Sequence, residues 1–187
     1  MLYFAEFIAR MLTFYIPSRK IRKKIRERIC TYFLGRSILK NAIKIGKNFC
    51  CKGYSICSKN TVILGDNVNF NGMQIRGNGN VKIGNYFHSG VECLMIPSNH
   101  NYDNGESIPY DDTYVYKDII IDDFVWLGSR VTILAGTHIG EGAIIQAGAV
   151  VHGEIPAYAI AGGNPAKVFK YRDIEHFKKL KNEKNFY

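Results

Sequence analysis

The sequence predicts an all-β fold, a three-sided parallel β-helix of hexapeptide repeats with a helical segment before it and a short C-terminal helix after it. The first observation is a period. Ile121, Leu127, Ile133, Ile139, Ile145 and Val151 recur every six residues, and Val125, Val131, Thr137, Ala143, Ala149 and Ile155 each follow four residues later. A helical face repeats about every 3.6 residues and drifts off this beat within two turns, and a plain strand alternates with no need of a turn every six. A period of six gives each side of a triangular coil one hexapeptide, so that successive coils stack along an axis. The aliphatic residue then points inward and the smaller residue four later eases the corner. The second observation is composition: 18 glycines against 5 prolines in 187 residues suit one repetitive domain with many tight corners.

Residues 1–42 lie outside the repeat. The stretch 1–15 is apolar and aromatic, with Phe4, Phe7, Ile8, Met11 and Leu12 at helical spacing, Glu6 and Arg10 interrupting it and Pro17 ending it. It is too short and too interrupted to span a bilayer. A second helix, about 18–34, places Ile21, Ile25 and Ile29 on one side and basic residues around the other. Residues 19–28 hold seven basic side chains and one acid, so they supply +6 of the formal +9. Two readings follow. The segment caps the first coil with a solvated basic face, or it attaches peripherally to anionic membrane. Nucleic acid is not expected as a partner, because no aromatic platform interleaves the charges.

The β-helix is expected over 43–171. It opens at Ile45-Gly46 and returns at Leu64-Gly65 and Ile83-Gly84, each nineteen residues on, one coil with a bulged corner. From Ile83 to Ile121 is 38 residues, one coil plus an insertion placed at about 97–118. The insertion is polar, with Asn99, His100, Asn101, Asp103 and Asn104, and a long polar loop on a rigid scaffold is where function tends to sit. From Ile121 the coils are regular at eighteen. Residues 155–171 read as a last coil capped by a turn. Residues 172–187 form a tail whose short charged helix closes the C-terminal end against edge pairing.

Five cysteines, an odd number, occur with no evident secretory signal. Cys51 and Cys57 fall on the inward position, where they act as small hydrophobes, so reduced core thiols in a cytoplasmic protein are expected.

His100 is the candidate base. It lies in the polar insertion, and an imidazole takes and returns a proton near neutral pH. No serine or cysteine nucleophile motif accompanies it, so it would deprotonate a substrate hydroxyl or amine. His88 and His138 fall at repeat positions facing solvent or a neighbouring chain, and His176 belongs to the terminal helix. The histidines at 88, 100, 138, 152 and 176 include no pair five apart of the kind used by trimeric β-helix carbonic anhydrases, so no metal is expected. Asn71 carries an amide able to donate to and accept from a sugar hydroxyl, or is simply a coil-corner asparagine. Small residues in Trp126-Leu127-Gly128-Ser129-Arg130-Val131, and one coil later around Gln146-Ala147-Gly148, leave backbone polar groups accessible to an extended arm. Lys167 and Lys170 could meet phosphates.

These residues resemble the hexapeptide-repeat acyltransferases, particularly the galactoside/maltose O-acetyltransferase branch and the surface-polysaccharide O-acetyltransferases. The segment that carries the resemblance is 121–170, above all Val125-Trp126-Leu127-Gly128-Ser129, Ile155-Pro156 and Ala161-Gly162-Gly163-Asn164-Pro165-Ala166-Lys167. The resemblance implies a left-handed coil, a homotrimer, and acetyl-CoA and acceptor held in clefts between subunits. It implies that His100 is catalytic, that Asn71 and Trp126 contact the acceptor, and that Ser129, Ala147, His152, Gly153, Lys167 and Lys170 contact CoA. The family often has Thr-Lys where this chain has His152-Gly153, and arginine where it has Lys167 and Lys170; a lysine keeps the charge and loses the bidentate fork. The expected activity is acetyl transfer from acetyl-CoA to a sugar hydroxyl, on a surface-polysaccharide precursor, in the cytoplasm or at the inner membrane face. The alternatives are N-acetylation of a nucleotide-linked amino sugar, modification of an antibiotic, and a non-catalytic scaffold.

Overall fold

The computed structural model describes residues 2–187, the side chains from Tyr3 onward. It is a parallel β-helix of three faces, with helices α1 (Leu2–Leu12), α2 (Arg19–Leu34) and α3 (Arg36–Asn41) before it and α4 (Ile174–Asn182) after it. The first face stacks Lys44–Ile45, Val62–Leu64, Val81–Ile83, Ile119–Ile121, His138–Ile139 and Glu154–Ile155. Asn69–Ile75 and His88–Ile96 are long strands that bend around a corner, so their first halves lie on the second face and their second halves on the third. Trp126–Leu127 and Ile144–Ile145 continue the second face, and Thr132–Leu134 and Val150–Val151 continue the third. This is the left-handed β-helix that the resemblance implies.

The inward columns follow the period. Leu64, Ile83, Ile121 and Ile139 stand in register on the first face, and Cys57, Ile75, Met95, Ile133 and Val151 on the third, all buried. The nineteen-residue coils take their extra residue as register shifts between Cys51 and Gly53 and between Asn69 and Asn71. Those coils are filled by Phe70 and Phe87, edge to face at 5.9 Å; the column of Phe87 narrows to Val125 and Ala143 in later coils.

One corner is locked by a ladder of side-chain caps. The Lys47 N–H donates to Asp66 Oδ1 (2.7 Å), the Asp66 N–H to Asn85 Oδ1 (2.8 Å) and the Asn85 N–H to Asp123 Oδ1 (2.7 Å). The next residues along that corner, Asn48, Asn67, Tyr86, Phe124 and Tyr158, all have φ between 54° and 62°. Bulky residues rarely adopt this left-handed conformation; here they form an aromatic column, with Tyr86 and Phe124 stacked at 5.0 Å.

The C-terminal end differs in detail from the sequence reading. At the C-terminus, Ala159–Gly163 turns back into Ala166–Tyr171, an antiparallel edge strand absent from the expected turn. Helix α4 lies along the flank instead of across the end: Phe177 packs on Phe124 and Tyr158 of the corner column. At the N-terminus, α1 buries Ala5 and Ala9, with Thr13 buried in the turn after it, while Phe4, Phe7, Met11 and Leu12 of the helical spacing are exposed. Helix α2 joins α1 to the first coil, Arg26 Nε donating to Thr13 Oγ1 and the Cys51 N–H to Thr31 Oγ1.

Among the described residues all five cysteines are free. No described helix is long and apolar enough to cross a membrane, and the described residues hold no cluster of three metal-ligating side chains.

Candidate functional site

The inserted loop leaves the coil at the corner between the third and first faces. Its ends pair as a two-stranded antiparallel ribbon, Ser98–His100 against Tyr114–Tyr116, which brings His100 opposite Tyr114. Side chains rather than a core hold the rest of the loop. Asp111 accepts from the Thr113 hydroxyl (2.6 Å) and N–H (2.9 Å) and from the Glu106 N–H (2.8 Å). The Thr113 hydroxyl, and then the two backbone donors, hold the Asp111 carboxyl below the usual carboxylate range. Asn101 Nδ2 donates to Thr113 Oγ1.

This framework places the Tyr110 ring flat on the His100 imidazole, centroids 3.7 Å apart and planes 19° apart, with Tyr114 on it at 4.5 Å. The clasp encloses His100 Nδ1, which has no hydrogen-bond partner among the described residues. The enclosed nitrogen leaves Nε2 as the one that can reach a substrate. His100 lines a cleft of 520 Å³ shared with Asn101, Lys117, Leu134 and His152. His152, expected with the CoA contacts, thus lines the same cleft as His100, two coils beyond the coil the loop leaves. Gly153 follows at φ +78°, so it also serves the corner conformation.

A second depression lies on the second face. Trp126, Gly128, Ser129, Ala147 and Phe169 line a trough of 540 Å³. Its floor is backbone, because the coils approach closely: a Cβ on Gly128 would stand 2.5 Å from the Ala147 nitrogen. The N–H groups of Ser129 and Ala147 donate to no backbone carbonyl of another described residue, so they are available donors. Lys167 and Lys170 are exposed on the adjoining edge strand, with Phe169 between them. Trp126, half exposed, separates this trough from an apolar recess of 370 Å³ between α4 and the aromatic column. Asn71 lies on the same side, two coils earlier. Its Nδ2 donates to the Ser89 carbonyl (2.8 Å), which leaves its oxygen to accept from a ligand hydroxyl.

The structure therefore gathers Trp126, Ser129 and Ala147 in one place, and His100 with His152 in another. The seven residues from Ser129 to Ala135 cross the third face between the two, about 15–20 Å at strand spacing. Within one chain the two groups do not meet. Sequence reasoning missed Tyr110, Tyr114, Lys117 and Phe169. The aromatic content of the insertion was the available signal.

Residues 118–153 match the bacterial transferase hexapeptide (six repeats) family model. A probable acetyltransferase of Mycobacterium tuberculosis is 39% identical over 83 residues, which cover 44% of this chain and 27% of that protein. The match thus spans about a quarter of that curated relative. Among solved structures, a galactoside acetyltransferase in complex with coenzyme A superposes with a TM-score of 0.64, at 22% identity, over 94% of this chain and 84% of that one. An N-acyltransferase from Bacillus cereus, in complex with dTDP and 3-hydroxybutyryl-CoA, also gives 0.64, at 20% identity, over 77% and 83% of the two chains. These likenesses are of fold.

Proposed function

With a transferase hexapeptide repeat as premise, we propose that this protein transfers acetyl from acetyl-CoA to a sugar hydroxyl of a surface-polysaccharide precursor. The observation that carries the reading is the split site. A clasped imidazole stands at one corner, and a trough with available N–H donors lies across the third face from it. In a closed homotrimer the loop corner of one protomer faces the trough of the next, which completes the site at each seam.

In this arrangement the pantetheine arm lies along Ser129 and Ala147, and Lys167 and Lys170 meet the CoA phosphates. His152 and Gly153 contact CoA from the loop side of the seam, and Trp126 and Asn71 bound the acceptor. His100 Nε2 takes the acceptor hydroxyl proton as the oxygen attacks the thioester carbonyl. The Ser129 N–H stabilises the oxyanion, a contribution of about 3–4 kcal/mol in comparable sites. The C–S bond then breaks, and the departing thiolate takes the proton from His100. The products are the sugar ester and free CoA, and no step requires a metal.

The test is acetyl-CoA turnover against a panel of nucleotide sugars and short glycans, followed by mild base. Base-labile acetyl on a sugar hydroxyl supports the reading. Base-stable product identifies N-acetylation of an amino sugar, the second reading, which the fold shared with a dTDP-bound N-acyltransferase favours. Absence of acetyl-CoA binding by calorimetry rejects both.

A further inference from the structure

Helix α1 is packed inside out. The residues buried along it are small: Ala5 at 0% and Ala9 at 1% exposure, with Thr13 at 0% in the turn just after it, about one turn apart on the side facing α2. Phe7 and Met11 on the opposite side point away from the protein, 64% and 55% exposed, and Phe14 in the turn that follows is 72% exposed. A helix that contributes to a core does the opposite. The small face lets α1 sit close on α2, where Arg26 Nε donates to Thr13 Oγ1 at 2.8 Å, and that seating fixes the aromatic stripe outward.

The stripe borders a strong positive charge. Arg19 and Lys20 follow the exposed Phe14 and Tyr15 within a single turn of chain, and Lys23, Lys24 and Arg28 continue an exposed basic face along α2. Glu27, the acid within that run, pairs with Lys52 of the first coil at 3.5 Å. Exposed apolar area of this kind marks an interaction surface. Flanking lysines and arginines select the partner: a protein groove for an apolar helix does not demand five cations, whereas an anionic bilayer rewards aromatic insertion and adjacent basic residues together.

We infer that α1 and the basic face of α2 form a peripheral docking surface for an anionic lipid bilayer, with the α1 aromatics in the interface and the α2 cations over the headgroups. The surface lies at the N-terminal end of the coil stack, and the inference stands whatever the activity proves to be.

The test is co-sedimentation of the full chain with phosphatidylcholine vesicles, with and without phosphatidylglycerol. Binding is expected to the anionic vesicles alone and to fall in molar salt. The double variant Phe7→Ser/Phe14→Ser should lower it at least about tenfold, from the lost apolar insertion. The triple variant Lys20→Glu/Lys23→Glu/Lys24→Glu should lower it by about a hundredfold, near fivefold per lysine. Circular dichroism and light scattering should be unchanged in both. Equal binding to neutral vesicles, no binding to either, or variants that bind like the wild type would overturn the inference. So would a fall in oligomer mass in the Phe7→Ser/Phe14→Ser variant, which would place the stripe between copies of the chain.

Discussion

The imidazole of His100 and the ring of Tyr110 lie face to face at 3.7 Å. The contact is between ring faces, so the hydroxyl of Tyr110 has no part in it. Tyr110→Phe should therefore keep most of the activity. Tyr110→Ala should free the imidazole to rotate and lower kcat by about tenfold or more, since proton transfer depends on orientation. The KM for acetyl-CoA should stay near the wild-type value in both variants. Steady-state kinetics with both substrates varied checks this, and an equal loss in the two variants would assign the effect to the hydroxyl.

Removing the imidazole is the harsher change. His100→Ala should reduce turnover by about a hundred- to ten-thousandfold, the range of general-base contributions. The loop is held by Asp111, Thr113 and Asn101, none of which bonds to His100, so folding and assembly should be intact. Turnover and light scattering on the same sample separate the two effects.

The inward columns were legible in the sequence because a period of six is itself a packing constraint: every sixth residue must fill the axis. Nineteen-residue spacing likewise revealed the bulged coils. The clasp on His100 was not legible. Tyr110 is ten residues away in an irregular loop, and a ring stacked across such a loop leaves no period. Helix α1 left two readings open for a related reason. Helical spacing of Phe4, Phe7 and Met11 shows that these residues share a face, but not whether that face looks inward. Nor does the amphipathic pattern of α4 say that Phe177 seeks the aromatic corner column, which is assembled from residues as far apart as Phe124 and Tyr158. The distance between His100 and the trough was beyond sequence reasoning because it depends on which corner each residue turns.

Burial pushes the thiols of Cys51 and Cys57 up to about 11, with the Ser55 hydroxyl partly opposing it at Cys51. In the unfolded chain these thiols ionise near 9.0. Between the two values the unfolded state has lost protons that the folded state keeps, so the stabilisation is complete below about pH 9 and is lost as pH rises toward 11. Urea midpoints should fall over that window, less so in Cys57→Val. At pH 8 both thiols should react with iodoacetamide about a hundredfold more slowly than an unshifted thiol.

Two corner glycines separate strain from crowding. Gly153 has φ +78° and nothing within 4 Å of an added Cβ, whereas at Gly142, φ +68°, an added Cβ would meet the Phe177 ring at 3.0 Å. Gly153→Ala should cost about 1–2 kcal/mol, the left-handed penalty alone. Gly142→Ala should cost about 1–3 kcal/mol more, because Phe177 and α4 must shift. Urea unfolding of the two variants measures the difference, and equal costs would mean that α4 yields freely.

A site completed by two protomers makes an unusual demand on mixed assemblies. His100→Ala removes the base and leaves the trough intact. Ala147→Trp fills the trough with a side chain pointing to solvent, since Ala147 is exposed, and leaves the base intact. Each homogeneous variant should be nearly inactive. When the two are unfolded together, mixed equally and refolded, a seam works only if its loop comes from an Ala147→Trp protomer and its trough from a His100→Ala protomer. Random association in a closed ring satisfies both conditions at about a quarter of seams. Recovery of about that fraction of wild-type turnover would place the imidazole and the trough on different subunits. Mixing without recovery, in samples whose mass shows assembled trimers, would return the whole site to a single chain and require the loop to swing across the third face.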